Sequence, residues 1–102
     1  MIRIIVIYGQ PEDPAAFDRH YSAVHTPLTR KMPHLAGFEV SKGAVTIAGS
    51  TASAYLVAIL SYASRAEMEA SFGSPEGAAA AADLANFATG GVQLLTCDMA
   101  AA

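Results

Sequence analysis

The run Ile2-Arg3-Ile4-Ile5-Val6-Ile7-Tyr8, closed by Gly9-Gln10-Pro11, is rich in β-branched residues and apolar on both faces apart from Arg3. A short run of that kind is a β-strand, and two apolar faces place it in the interior of a sheet. Tyr55 to Tyr62 and Val92 to Met99 read the same way. Ile4, Val6, Tyr8, Tyr55, Val57, Ile59, Val92 and Leu94 therefore carry apolar side chains to both sides of one sheet. Helices from the same chain can cover one of those sides. An open apolar face of this size is an interaction site rather than bare surface, and pairing two such faces about a two-fold axis is the economical cover. The expectation is a homodimer through the open sheet face, with a cavity between the sheets if side chains do not fill it.

The segments between the strands have helix signals. Asp13-Pro14 is an N-cap followed by proline at the first helical position. Phe17, Tyr21, Val24 and Leu28 then recur at helical spacing as one apolar face. Pro27 removes a backbone donor and crowds the preceding turn, which predicts a kink or break around His25 and Thr26. Pro33 marks a second end. Phe38 to Ile47 alternates as a strand, with Gly43 a candidate bulge, and pairs as a hairpin with Tyr55 to Tyr62 across a small connection at 48–52. Ser64 followed by Glu67 is a capping box that opens a helix through Met68 and Phe72. Gly73 ends it, and Ser74-Pro75-Glu76 restarts a helix through the alanine run 78–82. Gly90-Gly91 precedes the last strand. The order strand, helix, strand, strand, helix, strand is the βαββαβ arrangement of the ferredoxin-like α+β fold, a four-stranded antiparallel sheet with its helices on one face. With 102 residues, the chain is one domain spanning 1–102.

Composition removes several classes. Hydrophobic residues make up 53% of the chain and charged residues 15%, so intrinsic disorder is excluded. Six basic residues against nine acidic ones, with no basic run longer than Arg30-Lys31, argue against nucleic-acid binding. Cys97 is the lone cysteine and cannot form an internal disulfide or a thiolate metal site. No stretch reaches the length of a membrane span, and the start Met1-Ile2-Arg3-Ile4-Ile5-Val6 lacks the parts of a signal peptide. A soluble cytoplasmic protein is the expectation, with no membrane partner.

Candidate chemistry is sparse. His20 and His25 stand about 140° apart around a straight α-helix and cannot chelate one ion from it, and His34 lies beyond the helix. No protein metal site is expected. His20 is expected on the solvated side with Arg19. His25 follows Tyr21 by one turn, at the border of the apolar stripe and beside Pro27. It could face a cavity and move a proton near neutral pH. It could equally be a buried histidine bonded to carbonyls that the proline frees. Tyr8, Tyr21, Tyr55 and Tyr62 could donate hydrogen bonds to an oxygen-bearing ligand, or be ordinary strand and helix aromatics. Cys97 alternates with Leu95 and Met99 as a small core hydrophobe. Arg30-Lys31 complements a helix C-terminus. Gly90-Gly91 has neither the following helix nor the Lys-Ser/Thr of a phosphate loop, and no Gly-x-Ser-x-Gly elbow occurs.

The stretch Phe17-Asp18-Arg19-His20-Tyr21-Ser22-Ala23-Val24-His25-Thr26-Pro27-Leu28 resembles the first-helix signature of the EthD family, an aromatic residue, then Tyr or Trp, then His-x-Pro-Leu. Lys31 to Val40 is similar to that family's proline-containing turn into an aromatic second strand, and Ser74-Pro75-Glu76-Gly77 and Ala85-Asn86-Phe87-Ala88 resemble its short members. Two departures stand out: His34-Leu35-Ala36-Gly37 replaces the commoner Pro-Gly turn, and the hairpin tip 48–53 is short and bland. The resemblance implies a dimeric α+β barrel. It carries the motif histidine onto His25, which in the methylmuconolactone isomerase branch lines the pocket. Tyr8, Tyr21, Tyr55 and Phe38 are the expected substrate-binding residues around it.

Two functions follow. In one, the chain is a cofactor-free catabolic enzyme of isomerase, cyclase or oxidoreductase type. It binds a small hydrophobic oxygenated compound, such as a lactone, a hydroxylated aromatic or a polyketide-like ring, and His25 moves its proton. In the other, a non-catalytic dimeric accessory protein binds or delivers a hydrophobic metabolite, and His25 only holds the helix.

Overall fold

The side chains of Ile2, Ile4, Val6 and Tyr8 are buried while those between them are half-buried, so β1 (Ile2–Tyr8) has one fully covered face. In the computed structural model, which describes residues 1–102, β1 is an inner strand between β5 (Leu56–Tyr62) and β6 (Val92–Asp98), both antiparallel to it. β2 (Gly37–Val40) extends the sheet beyond β5, giving the strand order β2-β5-β1-β6. The register sets Ile4 opposite Leu60 and Val6 opposite Ala58 and Leu94, so these residues share the covered face. Ile5, Ile7, Val57, Ile59 and Leu95 share the other.

The helices all lie on the covered face. α1 (Pro14–His20), a π-helical turn (Tyr21–His25) and α2 (Thr26–Arg30) form one continuous rod. α3 (Arg65–Phe72) and α4 (Pro75–Phe87) follow β5. Their buried residues, Phe17, Tyr21, Met68, Ala80 and Phe87 among them, join Ile2, Ile4, Val6 and Tyr8 in one apolar cluster. The predicted caps form: Asp13, Ser64 and Ser74 accept from the backbone N–H groups of Ala16, Glu67 and Gly77 at 3.1, 3.2 and 3.0 Å. The architecture is the expected ferredoxin-like α+β sheet. The molecule is a slab of 36 × 34 × 18 Å, two layers thick.

Two local expectations are corrected. Pro27 does not break the first helix. Its missing N–H and its ring's crowding of the Ala23 carbonyl are absorbed by a wider turn, in which the Thr26 N–H reaches back to Tyr21 O. The widening changes which residue faces the sheet: Val24, expected in the apolar stripe, is 40% exposed, and His25 is 6% exposed. The strand predicted from Phe38 to Ile47 also divides. Ser41 holds Val57 through both its N–H and its hydroxyl, and then Gly43, at φ 69°, turns the chain away. β3 (Val45–Thr46) pairs only with β4 (Ser53–Ala54), as a separate two-stranded ribbon. Cys97 is another departure, since its register with Arg3 puts it on the open face rather than in the helix-side core.

Gly77 shows how tightly α3 and α4 meet. A Cβ there would collide with the backbone carbonyl of Ser71 and with Phe72. Gly77→Ala is therefore expected to lower stability by about 2 kcal/mol despite alanine's helix propensity, because the contact is with backbone that cannot rotate away. Thermal denaturation of the variant would show this as a lower Tm.

Candidate functional site around His25 and Asp83

On α4, Gly77, Ala80, Asp83 and Phe87 form the buried stripe. Three of the four are small or apolar, and the fourth is a carboxylate that is 5% exposed. A buried carboxylate needs donors. Asp83 has three: His20 Nε2 lies 2.8 and 3.0 Å from its two oxygens, His25 Nδ1 is 3.0 Å from Oδ2, and Asn86 Nδ2 donates to Oδ1 at 2.9 Å. The π turn makes this possible. A straight helix would separate His20 and His25 widely, and the wider turn lets both rings reach one carboxylate.

These contacts define the state of His25. An ionised carboxylate only accepts, so Nδ1 carries the proton that it donates to Asp83, and in the neutral ring Nε2 keeps a free lone pair. That nitrogen faces the Tyr8 hydroxyl at 3.5 Å, a long contact that leaves the lone pair available to another donor. Burial lowers the pKa of His25 from its ordinary value, against the opposing pull of Asp83. Burial of Asp83 raises its own pKa, but the hydrogen bonds from Asn86 and the two histidines outweigh that, and the group stays ionised. Tyr8 is pushed well above the usual tyrosine range by burial first, then by Tyr21 and Asp83. Burial pushes Tyr21 up to about 12. At neutral pH the site holds a neutral imidazole acceptor beside two protonated phenols.

The site opens on a hollow of about 50 Å³ lined by Val6, Tyr8, Tyr21, His25, Phe38 and Leu94, with further apolar residues from α3 and α4. Leu94 is 47% exposed, so the wall there reaches the surface. Phe87 packs against both histidine rings, with ring centres 4.7 Å from His25 and 5.2 Å from His20.

Of the residues singled out in the sequence, His25, Tyr8, Tyr21 and Phe38 meet at this hollow. Tyr55 does not. Its hydroxyl donates to Asp18 at 2.7 Å and its ring packs edge-on against Phe17. Tyr62 is engaged with Ser71 at 2.9 Å. His20, expected on the solvated side with Arg19, turns inward to Asp83. Asp83 was not among the sequence candidates, although an acidic residue between Ala80 and Phe87 on an otherwise apolar helix stripe is a readable signal. No group of three or more His, Cys, Asp or Glu side chains is arranged to hold a metal ion, and no helix is long and apolar enough to cross a membrane.

Strand order and one-sided helices place the chain in the ferredoxin-like α+β class. A dimeric ferredoxin-like protein of unknown function from Thermobifida fusca shares that fold, with a TM-score of 0.69 and 16% identity over 96% of this chain and 90% of that one. The chain belongs to the EthD family, whose domain it matches over residues 9–91. An EthD family protein from Bacillus halodurans superposes with a TM-score of 0.88 and is 32% identical, covering 98% of this chain and 99% of that one. An uncharacterized 11.0 kDa protein from the thcB-thcC intergenic region of Rhodococcus erythropolis is 47% identical over 98 residues, 96% of this chain and 94% of that protein.

Proposed function

We propose that this protein is a cofactor-independent enzyme that moves a proton on a small, oxygenated, largely apolar organic compound, such as a lactone, a hydroxylated aromatic or a polyketide-like ring. The observation that carries this reading is His25, buried, held by Asp83 at Nδ1 and with Nε2 meeting only the Tyr8 hydroxyl, at 3.5 Å, beside an apolar hollow. In the reaction, Nε2 takes a proton from a carbon next to a carbonyl, the electron pair moves onto the carbonyl oxygen, and the Tyr8 hydroxyl hydrogen-bonds that oxygen. Return of the proton from Nε2 to a carbon conjugated with the enolate completes an isomerisation; attack of the enolate carbon on a second carbonyl, whose oxygen then takes the proton back from Nε2, completes a cyclisation. Tyr21 and Phe38 shape the apolar wall. The test is solvent-deuterium exchange on a panel of lactones, hydroxylated aromatics and β-dicarbonyl compounds. Exchange by the native protein that is lost in His25→Ala supports the reading. No exchange across the panel at any pH from 6 to 9 counts against it.

The size of the hollow favours a second reading. Pockets for drug-sized ligands begin at about 300 Å³, several times what the protomer encloses. A non-catalytic accessory protein that opens to hold and deliver a hydrophobic metabolite accommodates this as well. In that case His25→Ala alters ligand affinity or Tm with no exchange to lose.

Both readings include a homodimer through the open sheet face, in a cytoplasmic setting. The slab is 18 Å thick and its uncovered side presents Ile5, Ile7, Val57, Ile59 and Leu95. Arg3 Nη1 on the same side is buried without a hydrogen-bond partner. The register puts one carboxylate on that face, Glu39, opposite Ile59. In a two-fold pair each copy can offer its Glu39 to the other's Arg3. Arg3→Glu is expected to weaken dimerisation about tenfold or more, and the double variant Arg3→Glu/Glu39→Arg to recover most of it. Sedimentation equilibrium measures both. A single variant that dimerises as tightly as the native chain removes this pairing.

A further inference from the structure

The proposed chemistry uses His25 and leaves His20 without a role, yet His20 makes the shortest contact to Asp83, 2.8 Å, and reaches its other oxygen at 3.0 Å. Its ring is stacked on Phe87, and its side chain is 26% exposed against 8% for His25. Two imidazoles therefore share one buried carboxylate, one in contact with solvent and one facing the hollow. A single negative charge cannot fully stabilise two imidazolium ions, so a proton on the outer ring draws on the charge that would stabilise a proton on the inner one.

We infer that His20 is a positioning residue that sets the proton affinity of His25 through their common carboxylate. A charge on the outer ring lowers the affinity of the inner one for a proton, because both rings draw on the same carboxylate. This rests on His25 being the group that moves the proton. The ionisable groups facing the pair from neighbouring elements are Tyr8 on β1, Tyr21 in the π turn, and Glu12 and Asp13, which line a separate hollow with His20 and Asn86. The two phenols remain protonated throughout the range concerned. Glu12 and Asp13 lie on the His20 side and make no hydrogen bond to either ring.

The experiment is an NMR titration of the ring nitrogens in the full-length native protein, needing no substrate. In His20→Gln, His25 is expected to bind protons at least about threefold more tightly than in the native chain, its midpoint moving to higher pH. His20→Phe, which keeps the stack on Phe87, should do the same and guards against a folding defect in the first variant. In an Asp83→Asn background the His20→Gln effect should disappear, which separates coupling through the carboxylate from a through-space effect. A His25 titration that is identical in native protein, His20→Gln and His20→Phe would overturn the inference, as would a shift that survives intact in the Asp83→Asn background. The exchange assay is independent. A shifted titration without exchange keeps the coupling and removes the proposed chemistry; exchange with an unmoved titration does the reverse.

Discussion

His25→Ala is expected to lower turnover about 10²–10⁴-fold on any compound the native protein deprotonates, the usual contribution of a positioned acid–base group. The variant should still fold. Asp83 keeps hydrogen bonds from His20 on both oxygens and from Asn86, so the buried carboxylate is not left bare. The loss is then chemical rather than structural, and circular dichroism alongside single-turnover kinetics distinguishes the two. The pH dependence has a definite sign. The active form of a base is the neutral ring, and burial lowers the pKa of His25 from 6.5. Activity should be flat through neutral pH and fall only as the pH drops through a midpoint below 6.5. Stability follows the same course. The unfolded chain takes up a proton on His25 near 6.5 and the folded chain resists it, so the contribution is whole above that pH and is lost as the pH falls.

Asp83 is expected to give the larger effect on stability. Asp83→Ala strips the carboxylate from three donors, and the Nδ1–H of His25 is too buried for water to replace it. Hydrogen bonds to charged groups are worth about 1.5–3 kcal/mol each. His20 can recover part of its share from solvent, so a net loss of about 3 kcal/mol is expected, or more than about 10 °C in Tm for a domain of this size. Asp83→Asn keeps the shape and tests function separately. Its amide no longer dictates that the His25 proton sits on Nδ1, so the fraction of rings with a free Nε2 falls, and turnover should drop about 10²-fold or more. Equal turnover in Asp83→Asn and the native protein would remove Asp83 from the mechanism.

The fold was legible because its signals are local and periodic. β-branched runs, three side-chain caps and the glycine and proline punctuation sit within a few residues of what they control. The site was less legible because it depends on contacts between distant parts of the chain. His25 and Asp83 are 58 positions apart in sequence, and neither an isolated histidine nor an isolated aspartate announces its partner. Tyr55 illustrates the same limit, since the strand was recognisable but the hydroxyl's partner, Asp18, lies on another element. His20 precedes the wide turn, and what draws it inward is Asp83, 63 positions away, which nothing next to His20 in the sequence announces. Val24, by contrast, belongs to the apolar stripe only on a straight α-helix, and the wide turn carries it outward.

The wide turn can also be seen as a correction of phase. Phe17, Tyr21, His25 and Thr29 are all buried and follow one another at a constant interval of four. At 100° per residue, each such step overshoots a full circle by about 40°, so the fourth member would lie about 120° from the first. A turn closed by a longer hydrogen-bonded ring rotates less per residue and cancels part of that drift, which keeps all four on the sheet. Deleting one residue from 22–24 together with Pro27→Ala would restore an ordinary helix of high intrinsic propensity. His25 would then follow Tyr21 by three positions, so that at 100° per residue Phe17, Tyr21, His25 and Thr29 lie within about 60° of one another and His25 stays on the sheet side. A homologue with one residue fewer in this turn and no proline at the position of Pro27 would be expected to keep the His–Asp pair on an ordinary α-helix.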